Sequence, residues 1–309
     1  MQTTIPADRR QRIQDLGYDY AAQPQELLNS CNLCGANVLV TITQRDRYGY
    51  PAQASACSRC SLVFLNPRMT AAAYSRFYDG VYRPLVSAFH GRIIDARTIQ
   101  AEQREYAQDR AEFVRPFLTR SGLTTMLDIG GSTGVVAGHF AKVFGLTGTL
   151  IDPAPLEVQE ARAFGLETIT GLVEEYDFGG RRFDFVLICQ TVDHLLDVAG
   201  TLKRVRELLT PNGSLFIDIV DFRAAYLRNW SVEDAIKIDH PYYLTQDTMT
   251  AYLRRAGFET VRAAYAADHL HVSYLCRPTQ TTPQAVPDVA AVAQLFREIR
   301  YVQNAPRPS

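Results

Sequence analysis

From Thr124 onward, short apolar segments alternate with segments of helical periodicity, and this alternation constrains the fold more than any other feature of the chain. The apolar segments predicted as strands are TTMLDI, TGTLI, LETIT, FDFVLIC and GSLFIDIV. Helices are predicted to start near Thr133, Pro155 and Val198, and the last is expected to stop at Pro211 and Gly213. Such alternation predicts an α/β domain with a doubly wound, mostly parallel sheet covered on both faces.

The rest of the chain divides into shorter regions of different composition. A polar extension (1–30) precedes a region with two cysteine pairs (31–68), and an aromatic-rich helical segment (69–121) leads into the α/β domain (122–278). The tail (279–309) contains one amphipathic helix candidate, VAAVAQLFREIRYV. A chain of 309 residues that is 47% hydrophobic can bury one full α/β core and carry smaller appendages.

Charge and hydropathy exclude some classes of partner. The formal net charge of -1 gives no overall attraction to nucleic acid or to anionic membranes. No stretch approaches the roughly 20 apolar residues that a membrane span needs, so we expect a cytoplasmic protein without a membrane partner. In a reducing compartment its cysteines are expected to be thiols or metal ligands.

The segment LDIGGSTG (127–134) follows the first predicted strand of the sheet and matches two kinds of site. As G-x-S-x-G it resembles the nucleophile elbow of serine hydrolases, with Ser132 as the nucleophile. As D-x-G-x-x-x-G on a strand-to-helix turn it fits a nucleotide-cofactor loop. A hydrolase elbow follows several strands, whereas the fifty or so residues before Ser132 have a helical pattern. The sequence therefore favours the cofactor loop.

Asp152 supplies the second half of an adenosine site. It ends the second predicted strand, 22 residues after Gly130, where a carboxylate can accept hydrogen bonds from both ribose hydroxyls. Dinucleotide loops follow G-x-G-x-x-G, and only the first of these glycines is present. The looser G-x-G-x-G pattern of S-adenosylmethionine enzymes is met at Gly130 and Gly134, and only Ser132 departs from it.

Four successive segments resemble the motifs of class I S-adenosylmethionine-dependent methyltransferases; they are LDIGGSTG, LIDPAP, RRFDFVLICQTVDHLLD and LLTPNGSLFID. They cover about half of the chain and occur in the order typical of the family. The resemblance implies a seven-stranded Rossmann-like sheet whose last strand is antiparallel, with S-adenosylmethionine as cofactor. In similar proteins the glycine-rich loop holds the methionine part, the acid after the second strand holds the ribose, and residues after the third strand flank the adenine. The cofactor-binding residues implied for this chain are Asp128, Gly130, Ser132, Gly134, Asp152, Val173, Glu174 and Gln190.

Two C-x2-C pairs separated by 22 residues have the spacing of a tetrahedral zinc site. The predicted ligands are Cys31, Cys34, Cys57 and Cys60. Four thiolates leave no open coordination position, so the Zn2+ is predicted to be structural, in a small zinc ribbon-like module. The following segment, CSRCSLVFLNPRMTAAAYSRFYDGVY, resembles the zinc-bearing part of a methyltransferase subgroup that includes nucleotide-sugar C-methyltransferases.

Methyl transfer from a sulfonium is an in-line displacement, and for most acceptors it requires removal of a proton. Candidate bases are expected after the fourth and fifth strands, where QTVDHLLD and DHPYYLT provide His194, His240 and Tyr243. Histidine titrates near neutral pH and suits this role. We predict a histidine base, and the choice between His194 and His240 stays open.

The first functional hypothesis is an enzyme that methylates a small metabolite, such as a sugar, a nucleotide-linked sugar or a natural-product intermediate. One alternative is an RNA methyltransferase whose zinc module grips RNA through Arg45, Arg47, Arg59 and Arg68. This basic patch is modest compared with those that bind phosphate backbones, so nucleic acid is disfavoured as a partner. A second alternative is a subunit that binds S-adenosylmethionine without catalysis.

Overall fold

Short strands dominate the N-terminal part of the protein. The computed structural model describes residues 5–118, 122–280 and 289–306. In chain order its first elements are α1 (Ala7–Asp15), β1 (Gln25–Glu26), β2 (Leu39–Thr43), β3 (Ala54–Cys57), β4 (Val63–Leu65) and β5 (Arg68–Met69). Strands β2, β3 and β4 form an antiparallel sheet, while β1 pairs with β5.

Three helices connect this part to the large sheet; they are α2 (Ala71–Gly80), α3 (Tyr82–His90) and α4 (Ala96–Leu118). Helix α2 begins at Thr70, whose side chain accepts a hydrogen bond from the Ala73 amide and so satisfies one of the free donors of the first turn. Helix α3 ends at Gly91, which adopts the left-handed conformation common at helix C-termini. The predicted boundary at residue 121 lies outside the described residues.

The α/β part follows, with strands and helices alternating over most of its length. Its elements are β6 (Thr125–Ile129), α5 (Val135–Phe144), β7 (Thr147–Asp152), α6 (Pro155–Ala161), β8 (Glu167–Thr170), β9 (Phe183–Ile188), α7 (Val198–Leu208), β10 (Leu209–Val220), α8 (Phe222–Asn229), β11 (Tyr242–Tyr243), α9 (Gln246–Arg255), β12 (Phe258–Tyr265), β13 (His271–Pro278) and α10 (Val289–Asn304). Helix α7 ends at Leu208, and Pro211 and Gly213 lie within β10. The helix therefore ends within the segment LLTPNG, as predicted, although Pro211 and Gly213 lie in the following strand, which has an irregularity between Leu209 and Ser214.

The large sheet has seven strands in the order β12-β13-β10-β9-β6-β7-β8. Strands β6 to β10 are parallel, and β13 runs antiparallel to both of its neighbours. The prediction of a mostly parallel sheet flanked by helices is confirmed. The chain continues from β6 to β7 on one side, whereas β9 lies on the other side of β6. This reversal opens a crevice at the carboxyl ends of the strands, where ligands bind in sheets of this kind.

Alternate residues of the central strands enter different apolar clusters on the two faces of the sheet. Leu127 and Val186 pack with α7 and α9 on one face, while Met126 and Phe185 pack with α4 and α5 on the other. Burial on both faces accounts for the continuous apolar runs of these strands. No helix in the described residues is both long and apolar enough to cross a membrane.

The cysteine-containing part is not an independent unit. Strand β11 pairs with β4, so two residues from the C-terminal half complete the small sheet. Cys31, Cys57 and Cys60 share one apolar cluster with Tyr252 of α9. The module is thus packed into the same core as the large sheet.

Candidate active site

The glycine-rich loop between β6 and α5 lies at the carboxyl edge of the large sheet. Gly130 and Gly134 have φ angles of 70° and 78°, which disfavour residues that carry a Cβ. A Cβ at Gly130 would lie 2.3 Å from Cγ2 of Thr191, and one at Gly134 would lie 2.7 Å from Cβ of Ala161. The loop therefore keeps its shape only with glycine at both positions.

Two buried carboxylates stand beneath this loop. Asp128 is fully buried, neither of its carboxylate oxygens has a hydrogen-bond partner among the described residues, and burial with the nearby charge of Asp152 raises its pKa to about 8. Asp152 accepts hydrogen bonds from the amides of Ser132 at 2.9 Å and Ala154 at 2.8 Å. Burial raises the pKa of Asp152 to about 6 although these two amides oppose the shift. Asp152 thus fixes the loop, and Asp128 holds unsatisfied acceptors next to it.

Ser132 connects the loop to the helices around it. It has a φ angle of 50°, and its hydroxyl donates a hydrogen bond to Glu157 of α6. Glu157 also accepts from the Arg83 guanidinium of α3 at 2.6 Å. Ser132, which stands where the family pattern has glycine, therefore connects the loop to α3 through Glu157 and Arg83.

The other predicted cofactor residues lie farther along the same edge. Val173 is buried after β8, and exposed Glu174 accepts a hydrogen bond from the Thr201 hydroxyl. Gln190 follows β9 with a φ angle of 50°, and its amide donates to Asp218 at 2.8 Å. The structure thus places the predicted cofactor residues along the ends of β6, β7, β8 and β9.

The two histidines predicted as bases lie next to each other, with ring centroids 4.3 Å apart. His240 Nδ1 lies 2.7 Å from Asp193 Oδ2, and its Nε2 lies 3.3 Å from Asp239 Oδ2. Burial alone would lower the pKa of His240, but the two carboxylates outweigh burial and raise it. Burial and the neighbouring His240 lower the pKa of His194 to about 4. Their surroundings therefore shift the pKa values of the two imidazoles in opposite directions.

Two tyrosines contribute differently to this side. The Tyr78 hydroxyl of α2 lies 2.7 Å from His194 Nδ1 and donates to the Asp239 carbonyl at 2.8 Å. The Tyr243 hydroxyl accepts from the Lys237 amide at 2.8 Å and donates to the Lys237 carbonyl at 2.5 Å. Because both hydrogen-bonding roles of Tyr243 are filled by main chain, it holds the 237–240 loop in place, and its catalytic role stays a prediction.

A cavity of about 640 Å³ opens beside His240. Its walls include His240, Asp193 and Tyr243, together with Arg47, Phe89 and Lys237. Sequence reasoning did not single out Phe89 or Lys237, and it assigned Arg47 to an RNA-binding patch. In the segment KIDHPYY, Lys237 stands three residues before His240, and this proximity in sequence is the signal that could have identified Lys237.

Asp193, His194 and His240 could together hold a metal ion, because each offers one ligand atom and these atoms lie within 4.8 Å of one another. However, the Lys237 ammonium lies 3.3 Å from His240 Nε2. A positive charge at this distance disfavours a metal cation at the same nitrogen.

The four predicted zinc ligands come together at the edge of the small sheet. Their sulfur atoms all lie within 4.8 Å of one another, with Cys31 and Cys60 3.4 Å apart and Cys34 and Cys57 3.5 Å apart. Four sulfurs at these separations can surround one tetrahedral ion.

The arginines of the predicted RNA-binding patch do not form one surface. Arg45 and Arg59 are exposed. Arg68 is buried and pairs with Glu26 at 2.8 Å, while Arg47 lines the cavity. Two of the four side chains are thus turned inward, away from the exposed Arg45 and Arg59.

Comparisons with known proteins agree with this architecture. Residues 99–263 match a family described as a methyltransferase domain. Over 150 residues the chain is 28% identical to the ubiquinone biosynthesis O-methyltransferase of Azorhizobium caulinodans, which covers 43% of this chain and 58% of the relative. The corresponding enzyme of Cereibacter sphaeroides is 26% identical over 191 residues, covering 56% of this chain and 76% of the relative. The chain thus spans less than two thirds of the length of the first of these relatives.

Solved structures show the same fold. The mitomycin 7-O-methyltransferase structure aligns with a TM-score of 0.51 and 20% identity, covering 67% of this chain and 60% of that one. A structure of an O-methyltransferase family protein from Burkholderia thailandensis aligns with a TM-score of 0.50 and 17% identity, covering 67% and 63% respectively.

Proposed function

Because this chain belongs to the methyltransferase domain family, we propose that it is an S-adenosylmethionine-dependent methyltransferase that methylates a small metabolite, with His240 as the general base. The observation that carries the proposal is the contact between His240 and Asp193 on the wall of a cavity at the carboxyl edge of the sheet. A volume of about 640 Å³ is in the range of small-molecule sites.

The residues at the cofactor side fit S-adenosylmethionine. The unsatisfied oxygens of buried Asp128 can accept hydrogen bonds from a cationic amine. Gly130 and Gly134 allow the left-handed turn that leads into α5, and the start of a helix favours anionic groups such as a carboxylate. Asp152 would hold the ribose, Val173 and Glu174 would flank the adenine, and Gln190 would border the reacting end. The bound cofactor supplies an electrophilic methyl group on a sulfonium.

The residues at the acceptor side fit proton removal. Asp193 beside Nδ1 fixes the orientation of the His240 ring. Nε2, which lies 3.3 Å from both Asp239 Oδ2 and the Lys237 ammonium, is the nitrogen that would take a proton from the acceptor. His194 packs against the His240 ring, and Tyr78 and His194 both contact the Asp239 carbonyl and so orient the Asp239 segment. The acceptor is a sugar, a nucleotide-linked sugar or a natural-product intermediate, and the O-methyltransferase names of the relatives favour a hydroxyl as nucleophile.

The four cysteines bind one structural Zn2+. Zinc–thiolate bonds of about 2.3 Å in a tetrahedron require sulfur atoms nearly 4 Å apart, close to the separations of 3.4 and 3.5 Å in this cluster. Metal analysis of purified protein should give one zinc per chain, and Cys34→Ser should lose it with a fall in Tm. Cys276→Ser, which alters a buried thiol outside the cluster, should keep the metal. Retention of one zinc by Cys34→Ser would contradict the site.

The test of function has two stages. Isothermal titration should show binding of S-adenosylmethionine and of its demethylated product, and no binding of NAD. Metabolite extracts incubated with the enzyme and trideuteriomethyl-labelled cofactor should then yield one product heavier by one labelled methyl group, and His240→Gln should not form it. Binding of NAD without binding of S-adenosylmethionine would contradict the proposal.

A further inference from the structure

The cavity beside His240 has an excess of positive charge. Its walls carry Arg9, Arg47, Arg228 and Lys237, against the carboxylates of Asp193 and Asp234. Asp193 is already engaged by His240 Nδ1 at 2.7 Å. A cavity of this composition is electrostatically unbalanced when empty and attracts an anion.

Arg47 is held in this wall by main-chain contacts. Its amide donates to the Ile236 carbonyl at 2.9 Å, and the neighbouring Asp46 carboxylate accepts from the Ile238 amide at 3.1 Å. These two hydrogen bonds tie the turn after β2 to the loop that carries Lys237 and His240. The position of the Arg47 guanidinium is therefore coupled to the position of the candidate base.

The Arg47 side chain is packed but not neutralised. Its guanidinium carbon lies 3.8 Å from the centre of the Phe89 ring, which restricts it to one orientation. Its Nε is shielded from solvent and has no hydrogen-bond partner among the described residues. A planar guanidinium held against an aromatic ring on the wall of the cavity is suited to bind a carboxylate or a phosphate.

Lys237 extends the same charge towards the reacting centre. Its ammonium lies 3.3 Å from His240 Nε2. Burial and the positive charge of Arg47 lower the pKa of Lys237, against the carboxylates of Asp239 and Asp193, which raise it. Burial and the charges of Arg47 and Lys237 also lower the pKa of His90. The cations of this wall thus repel one another, and an anion placed between them would remove that repulsion.

We propose that Arg47 and Lys237 bind an anionic group of the methyl acceptor, a carboxylate or a phosphate, and so place its nucleophilic atom against His240. This inference rests on the proposed function and narrows its substrate class to anionic metabolites. Because the Lys237 ammonium is adjacent to the base, the anionic group lies close to the nucleophile in the acceptor.

Three small probes of similar shape test the proposal on the full chain saturated with demethylated cofactor. They are benzoate, phenyl phosphate and the neutral phenol, each titrated by calorimetry. At least one anion should bind about tenfold or more tighter than phenol, the size expected for charge-assisted hydrogen bonds. Tighter binding of benzoate would identify a carboxylate, and tighter binding of phenyl phosphate would identify a phosphate.

Variants separate this role from a structural one. Arg47→Gln and Lys237→Gln should each reduce anion binding towards the level of phenol while leaving phenol and cofactor binding unchanged. Arg45→Gln, an exposed arginine two positions away, should have no effect. If Arg47→Gln does not fold, Arg47→Lys retains the charge but not the planar donors and should bind the anions several-fold more weakly than the wild type.

Equal affinity of the three probes, or unchanged anion binding in the Arg47 and Lys237 variants, would overturn the inference. Neither result touches the proposed function, which fails only if the wild-type protein does not bind the cofactor or does not transfer its methyl group.

Discussion

The two walls of the site are built in different ways. The cofactor wall is formed mainly by one local unit, β6 with its glycine-rich loop and β7, in which Asp152 binds the Ser132 amide. The acceptor wall combines the turn at Arg47, helix α2 with Tyr78, Asp193 after β9 and the loop of His240. The shape of the cofactor wall depends on local backbone geometry, because its residues are close in sequence. The shape of the acceptor wall depends on how the whole chain packs, because its residues are far apart in sequence.

The walls also differ in charge. Buried acids, Asp128 and Asp152, stand at the cofactor wall, while the acceptor wall combines the cations Arg47 and Lys237 with the buried acids Asp193 and Asp239. Only the acceptor wall therefore offers cations for the anionic group proposed above. Substitutions at the two walls should therefore produce different kinetic defects.

The largest effect is expected at the acceptor wall. His240→Gln should lower kcat by about 10²- to 10⁴-fold, the usual contribution of a general base, and leave the affinity for the demethylated cofactor unchanged. His139→Gln, a partly exposed histidine of α5, is the matched control and should keep full activity. Single-turnover rates with labelled cofactor measure the effect. A normal rate in His240→Gln would move the base to another residue, with His194 first.

At the cofactor wall, Asp152→Ala should weaken binding of the demethylated cofactor by about 100-fold. The substitution removes an acceptor for the ribose and frees the Ser132 and Ala154 amides, and charge-assisted hydrogen bonds contribute about 1.5–3 kcal/mol each. Titration calorimetry gives the affinity directly. Asp177→Ala, an exposed aspartate that caps the turn at Gly179, should bind normally. Wild-type affinity in Asp152→Ala would place the ribose elsewhere.

The difference between the two walls explains which parts of the site could be predicted from the sequence. Asp128, Gly130 and Asp152 lie at fixed spacings in a strand-turn-helix unit, so their neighbourhood follows from local rules. The partners of His240 do not follow in this way, because they depend on the pairing of β11 with β4 and on the contact of Arg47 with the Ile236 carbonyl. Cysteine spacing predicted the four-sulfur cluster, but spacing carries no signal that the module shares its core with Tyr252.

The pH dependence of the reaction tests the acceptor wall with a smaller effect. The base works when unprotonated, and the carboxylates of Asp193 and Asp239 raise the pKa of His240 above 6.5 against the effect of burial. The value of kcat/KM should therefore rise about tenfold per pH unit below that pKa and level off above it. Asp193→Asn removes a charge that raises this pKa, so the rising limb should move to lower pH. A limb that stays in place would mean that another group titrates.

The smallest effect is expected at Ser132, where two contributions oppose each other. Its positive φ angle costs on the order of 1 kcal/mol in a residue with a Cβ, and its hydrogen bond to Glu157 returns a similar amount. Ser132→Ala keeps the strained backbone and loses the hydrogen bond, so cofactor affinity should fall several-fold. Ser132→Gly loses the same hydrogen bond but relieves the strain, so its affinity should stay within about threefold of the wild type. Calorimetry with the demethylated cofactor on both variants separates the two contributions. If Ser132→Gly binds the cofactor as weakly as Ser132→Ala does, the contact with Glu157 and α3 sets the cofactor affinity, and the loop conformation does not.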